Sequence, residues 1–531
     1  MRLRAAALAL LATTAAGCGG GRAAGGSSGI TAGSLGRSAT ANYSWSVPTS
    51  GPAPSIVQEN RAAGTSAWRL AGPSGLIGGE ADGAIAGYVS AQAVVVGQSE
   101  TVYVSAPGAR TVTVRVYRMG WYGGHGGRLI LRSGGLRARS QPPCARRART
   151  GLTECDWHPT LRFPIPAGLV SGVYIAKLTA STGAQSDCLF VIRSARAARL
   201  LVQIPTATYE AYNAWGGNSL YPGDGPRVGV TGTSQGVEVS YDRPYDSQTG
   251  AGQFFVREVA VVRFLERYGY PVGYTTSESI DGDPAQTRGT SGLIDVGHSE
   301  YWSAGDAQAF SAARDRGTSL IFLSSDTAAW RVRFAAASRS SSEAGMPAHR
   351  IVAYKQFAAA DPDRERPTGA FPAGAADLVG SAYDGCITPR VQQAGPPVYR
   401  YYSWSPSPGL RPSWLFAGTG VTASSQIAGI VGYELDERAP RSPAGTLVVG
   451  SGTGATCMPE TEPSPIHGTV AQSTLYTAAS GALVFASGTL GWIYGLSPVP
   501  QASPDAPSGP DARVVAMTRN LLARVLGRAG G

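Results

Sequence analysis

Residues 292–302 read GLIDVGHSEYW, an apolar run that passes directly into a dense polar cluster. Gly292–Val296 is expected as a short buried strand, and His298, Glu300 and Tyr301 crowd the turn that leaves it. In open α/β sheets ligands bind at such turns, because parallel strands end together on one edge. Further short apolar strands are expected at Leu200–Ile204, Val237–Tyr241, Val272–Thr275 and Ser319–Leu323. Phe254–Tyr268, FFVREVAVVRFLERY, repeats apolar residues at helical spacing with Arg and Glu opposite, and Gly269 stops it; Ala304–Arg314 is a second helix. Strands alternating with helices predict a parallel sheet covered on both faces. Beyond about Arg350 the pattern is strand-rich, at Ile351–Tyr354, Ala428–Tyr433, Thr446–Val449, Ala482–Ala486 and Gly491–Tyr494. A closing helix, Ala512–Leu526, is expected to pack back on the sheet.

Upstream of this region the period changes. Ile85–Ser90, Thr101–Ser105, Thr111–Met119, Arg128–Arg132, Gly172–Thr179 and Cys188–Ile192 read as strands between turns, and alternation in TVTVRVYR and SGVYIAKLTA gives one buried and one wet face, as in a two-sheet sandwich of immunoglobulin or fibronectin type. Within it Tyr117–Gly127, YRMGWYGGHGG, sets aromatic residues and His125 among glycines. Two readings stand for this turn: a platform that stacks on sugar rings, or a plug in which Trp121 and Tyr122 fill the junction with the next domain. The expected organisation is a signal peptide with lipobox at 1–18, a flexible tether at 19–54, a β-sandwich at 55–195 and an α/β domain at 196–531.

Charged residues make up only 15% of the chain, with 71 Gly and 36 Pro, which suits many short strands and tight turns. The net charge is +10, but the arginines are scattered and no basic helix occurs, so a nucleic-acid partner is not expected. A basic surface of this kind favours anionic envelope polymers or lipid. Residues 1–18, MRLRAAALALLATTAAGC, carry two arginines, a short apolar run and a small-residue end, which is an export signal. Ala15–Cys18 resembles a lipobox, predicting lipidation of Cys18 and a membrane-anchored envelope protein; cleavage without lipid is the alternative. Export permits disulfides: Cys144 with Cys155 across a short Arg-rich loop and Cys386 with Cys457, leaving Cys188 as a buried hydrophobe.

Candidate chemistry follows the strand ends. Tyr209, Tyr212 and Trp215 come after Ile204, Asp242 and Arg243 after Tyr241, Ser324, Asp326 and Trp330 after Leu323, and Lys355 and Gln356 after Tyr354. From these, His298, Glu300, Tyr301 and Asp326 are the candidate catalytic residues. Tyr212, Trp215, Asp242, Arg243 and Trp330 are the candidate substrate-binding residues. Each has a bland alternative: Asp242–Arg243 as an ion pair, Asp326 as a helix cap, Trp330 as core. Ser299 lacks the second glycine of a nucleophile elbow, and no cysteine occupies that position. Metal-assisted hydrolysis and acid–base catalysis by His298 with Glu300 both remain open.

Residues from about 80 to 497 resemble the large (β) subunit family of N,N-dimethylformamidase. The resemblance rests on YRMGWYGG, SGVYIAKL, YNAWGGNSLY, VSYDRPY, GYPVGYTT, GHSEYWS, SLIFLSSDTAAWRVRF, VGYELD and GTLGWIYGL, in the manner of an exported branch. It implies a three-layer glutamine-amidotransferase-like C-terminal domain and hydrolysis of an amide C–N bond by a single iron held by two tyrosines and a glutamate. The tyrosine of the family's H-x-E-Y-W segment matches Tyr301, whereas the second tyrosine falls at Ala260, which cannot ligate. Gln356 and Glu434 stand in candidate regions for the glutamate, and only Glu434 can be anionic. The implied metal ligands are therefore Tyr301 and Glu434, for iron or another transition metal, or no cofactor if the site is lost. Two functions follow: a hydrolase of an amide or other C–N bond in a small-molecule or polymer substrate of the envelope, or a non-catalytic protein that holds a carbohydrate or other polymer on Trp121, Tyr122, Trp215 and Trp330.

Overall fold

All seven residues of Gly292–His298, all five of Leu200–Ile204 and all seven of Ser319–Ser325 are buried, the pattern of strands covered on both faces. In the computed structural model, which describes residues 42–71, 84–194, 196–223, 225–246, 249–337, 348–387, 401–454, 456–457, 469–499 and 509–527, these strands form the centre of a nine-stranded sheet. Val272–Thr276, Leu200–Ile204, Gly292–His298, Ser319–Ser325 and Leu483–Ala486 run parallel in that order. Val470–Thr477, Leu447–Thr453, Tyr402–Pro406 and Ile427–Val431 extend the sheet antiparallel. The chain is thus a strand-rich mixed α/β protein.

The expected helix over 254–268 divides. Phe254–Val256 is a 3-10 turn, and the α-helix runs Val259–Arg267, ending before Gly269 at φ 66°. Ala304–Asp315 starts with a capping box in which Ser303 accepts from Asp306 N and the Asp306 carboxylate accepts from Ser303 N. Ala512–Val525 closes the chain, and Val514, Met517, Leu521 and Leu522 join the core that holds Ile430 and Trp492. Gly491–Tyr494 is a helical turn rather than the expected strand, because Thr489 Oγ1 accepts from Gly491 N and curls the chain there. Four apolar residues cannot distinguish the two by period.

A second correction concerns Val237–Tyr241 and Ile351–Tyr354. The strands Glu238–Ser240 and Arg350–Val352 pair antiparallel in a separate five-stranded sheet, with Trp330–Ala335 and Tyr301–Ser303. Parallel pairing needs a crossover element, and between Tyr212 and Glu238 no helix or strand is found among the described residues.

In the N-terminal part a seven-stranded sheet, including Gly127–Ser133, Thr111–Met119, Gly172–Ala180 and Gln185–Ile192, accompanies a three-stranded sheet of Pro159–Pro164, Ser99–Ser105 and Ala86–Val89. Residues of both sheets meet in one core, among them Val102, Val104, Val114, Phe163 and Phe190. The stretch expected as tether contains a strand: Tyr43–Trp45 pairs with Gly127–Ser133, and the rings of Tyr43 and Trp45 pack on Phe163. Cys144 and Cys155 form a disulfide, and Cys188 is free and buried. Cys386 is disulfide-bonded, and its backbone partner across the strand pair is Cys457. Cys18 lies outside the described residues.

Arg118 and Glu266 join the N-terminal sheets to the helix Val259–Arg267 through a fully buried bidentate pair, at 2.7 and 2.8 Å. Tyr122 is buried and donates to Glu59 at 2.8 Å, while the Arg267 guanidinium lies 4.7 Å from the Trp121 ring centre. The glycine-rich aromatic turn is therefore a junction plug. Asn60 caps it by accepting from the backbone N–H of both Trp121 and Tyr122.

A buried polar cluster at the edge of the parallel sheet

Gly297 has φ 71°, and a Cβ there would meet Glu258 Oε1 at 1.9 Å, so only glycine lets the strand end turn as it does. The turn delivers His298, Ser299, Glu300 and Tyr301 as fully buried residues. Two neighbours lock it. Thr208 Oγ1, on the helix Thr206–Tyr212, accepts from the backbone N–H of Glu300 and Tyr301, and Trp330 N donates to Glu300 O. From the next strand, Asp326 is held by a bond from its backbone N–H to Asp436 Oδ1 at 2.7 Å. Asp326, Ala328 and Lys355 all have positive φ, of 54°, 56° and 50°, the kind of backbone strain that persists where surrounding structure enforces it.

His298 Nε2 stands 3.3 Å from Glu300 Oε2, 3.5 Å from Asp326 Oδ2 and 3.8 Å from Glu434 Oε1. Neither ring nitrogen has a hydrogen-bond partner among the described residues. Burial, reinforced by the positive charges of Arg257 and Lys355, holds the imidazole well below its usual range, so it is neutral at pH 7. Tyr212 donates to Glu300 Oε2 at 2.9 Å, and Tyr221 donates to Oε1 of the same carboxylate. The two phenol rings lie 4.5 Å apart, half-buried above the buried carboxylates. Lys355 Nζ sits 3.5 Å from the centre of the Tyr221 ring, 4.7 Å from that of Trp330 and 5.5 Å from that of Tyr301, a cation–π arrangement. Beneath the cluster, Asp295 accepts from Ser299 and Ser324 at 2.7 Å each, and burial pushes its carboxyl up to about 7.

The structure thus brings His298, Glu300, Tyr301, Asp326, Tyr212, Trp330 and Glu434 to one edge. Asp242 and Arg243 do not join them: they follow the strand Glu238–Ser240, and each is held by other partners. His349 Nδ1 lies 2.9 Å from Asp242. Arg243 is consumed by Glu210 and by the carbonyls of Asn213, Trp215 and Asn218, which fixes the loop carrying Tyr212 to Tyr221. Trp215 packs edge-on against Trp157, at 5.8 Å. Trp330 is core and offers no exposed stacking platform, while Trp121 is half-buried with the guanidinium groups of Arg263 and Arg267 over its ring. The residue that sequence reasoning passed over is Tyr221, although it ends the segment YNAWGGNSLY; nothing in the spacing tells which of that segment's tyrosines turns inward. Ala260 lies on the helix Val259–Arg267 within the apolar core, so the alignment of a ligating tyrosine there marks no ligand position.

The donor set fits a metal ion. His298, Asp326 and Glu434 each offer one ligand atom within 4.8 Å of the others, and two phenols and a carboxylate converge at Tyr212, Tyr221 and Glu300.

Fold and geometry together define a mixed α/β protein with a buried acid–imidazole–phenol cluster on the carboxyl edge of a parallel sheet. Residues 113–506 match the family described as N,N-dimethylformamidase beta subunit-like, C-terminal, and the chain belongs to that family. No curated protein matches the chain.

Proposed function

We propose that this protein is a metal-dependent hydrolase of an amide or other C–N bond, with Tyr212, Tyr221 and Glu300 as ligands for one iron or other transition-metal ion. The observation that carries this is the convergence of two phenol oxygens on the single carboxylate of Glu300, beside an imidazole that has no hydrogen-bond partner among the described residues. It supplies a two-tyrosine, one-glutamate set where the sequence alignment had left one tyrosine missing. A metal held there would act as a Lewis acid on the scissile carbonyl. His298, kept neutral by burial, takes the proton of the attacking water at Nε2. Asp326 and Glu434 hold the imidazolium that results, and the proton then passes to the departing nitrogen. Lys355, packed on the Tyr221 ring, places a positive charge beside the phenol rim.

The substrate class in this reading is an amide-bearing small molecule or polymer of the envelope, consistent with the half-buried phenol rim of Tyr212 and Tyr221. Export and lipidation at Cys18 belong to the same proposal, supported by the charged start, the apolar run and the small residues before the cysteine. We read the N-terminal sheets as an immunoglobulin-like sandwich over about 55–195, and the remainder as an amidotransferase-like domain. The test is metal analysis of the purified protein together with amide hydrolysis by the parent and by Glu300→Gln. About one transition metal per chain, with loss of metal and activity in the variant, is the expected result. A metal-free parent that is nonetheless active overturns the ligand assignment, and an inactive metal-free parent overturns the enzyme reading.

A further inference from the structure

On the face of the seven-stranded sheet that turns away from the core shared with the three-stranded sheet, five strands place their residues in one row. Ser44 is opposite Arg132, Arg132 opposite Arg115, Arg115 opposite Lys177, and Lys177 opposite Asp187. Directly opposed like charges destabilise an antiparallel pair, so three cations in sequence across adjacent strands oppose folding unless an anion meets them. The protein supplies little relief. Lys177 spends its ammonium on the carbonyls of Ala67 and Arg69, and Asp187 is buried on the far side of Lys177. Arg115 and Arg132 are exposed, and among the described residues neither makes an ion pair. They line an open groove of about 450 Å³ with Thr65, Tyr117 and Arg128, the last already bound to Glu59 at 2.8 Å.

The position of this row indicates its partner. The described fold begins at Asn42, two residues before Ser44, so the covalent path from Cys18 enters the sheet beside Arg132. We propose that Arg115 and Arg132 form a docking face for the anionic phospholipid headgroups of the membrane, so that the protein stands with this edge of its N-terminal sheet on the lipid surface. The inference rests on the reading of Cys18 as the anchor, and a basic patch next to an anchor is the second of the two signals that stable peripheral attachment takes. The face lies on the N-terminal sheet and uses none of the residues of the polar cluster. The charge of its two exposed arginines has the same sign as the net +10 of the whole chain.

The test uses the full chain carrying Cys18→Ser, so that no lipid contributes, and vesicles of phosphatidylcholine with or without phosphatidylglycerol. Binding to the anionic vesicles alone is expected, falling as salt rises. Adding Arg115→Ala and Arg132→Ala should weaken it about thirtyfold, the factor for two cations near an anionic surface. A control pair on other exposed sites, Arg364→Ala with Arg438→Ala, removes the same charge and should change binding by no more than about twofold. No binding by the Cys18→Ser protein, equal weakening by the two pairs, or unchanged binding by the Arg115/Arg132 variant each overturns the docking face. Lipid labelling of Cys18 in the parent reads the anchor separately, so failure of that reading is distinguishable from failure of this one.

Discussion

Tyr212 Oη lies 2.9 Å from Glu300 Oε2, although 88 residues separate the two, and Tyr221 reaches the other oxygen of the same carboxylate from 79 residues away. The carboxylate stands on a strand-end turn and the phenols on a helix end and a loop, so three local structures must be correct at once for the set to form.

Tyr212→Phe and Tyr221→Phe each remove one hydroxyl and keep the ring. We expect each to lower metal content well below that of the parent, and to abolish any visible absorption band arising from phenolate-to-metal charge transfer. Circular dichroism should be unchanged, with a loss of stability of about 1.5–3 kcal/mol, because each hydroxyl donates to the buried Glu300 carboxylate. Parent-like metal content in both variants would return the phenols to a structural role.

Arg243 is the strut of the loop between the two tyrosines. Arg243→Met leaves Glu210 buried without its cation and frees three backbone carbonyls. Breaking one side of such a pair costs about 3–5 kcal/mol. Denaturant unfolding should show this loss, and metal content should fall with it; Glu210→Gln in the same chain should recover part of the stability but not the loop geometry.

Glu100 gives a pH signature remote from the cluster. Burial pushes its carboxyl from 4.5 up to about 8, against hydrogen bonds from Ser90 and Thr101 that pull it down. The folded state therefore keeps a proton that the unfolded chain releases, and this contribution to stability is complete below the unfolded value and is lost as pH rises through the window from about 4.5 to 8. Glu100→Gln should flatten that slope, stabilising by up to about 5 kcal/mol at pH 8 and by little near pH 4. Equal pH profiles for the two proteins would show that Glu100 ionises normally.

The Cys144–Cys155 disulfide closes a loop between residues 11 apart in sequence. Constraint of the unfolded chain by a loop of this length is worth about 3 kcal/mol. Replacing both cysteines with serine should lower the unfolding free energy by about that amount without altering metal content, measured by denaturant titration of the oxidised parent and the variant.

Much of the layout was legible along the chain. Leu200–Ile204, Gly292–His298 and Ser319–Ser325 stand out as short, largely apolar runs, and alternation in Thr111–Met119 follows its exposure over the first half of the strand. Gly172–Ala180, expected to have one wet face, is instead buried at all but Thr179, because its second face meets the core around the helix Val259–Arg267. The short apolar pieces were not legible in the same way. Glu238–Ser240 and Gly491–Tyr494 are three and four residues long, and at that length neither the sheet a strand joins nor the choice of strand over helix is written in the period.

For the cluster, local sequence determined that His298, Glu300 and Tyr301 leave a buried strand together, because their spacing along one turn is covalent. It also determined that Asp326 and Trp330 follow a neighbouring strand. Only the tertiary structure decided that Tyr221 belongs with them and that Asp242 and Arg243 serve other partners, while Glu434, implied by the family resemblance, is brought beside His298 and Asp326. The reason is that a side chain's neighbours depend on sheet order and loop path, which are settled by long-range packing. Tyr221 turns inward because Arg243, in the turn after the strand Glu238–Ser240, holds the carbonyls of the loop that leads to it.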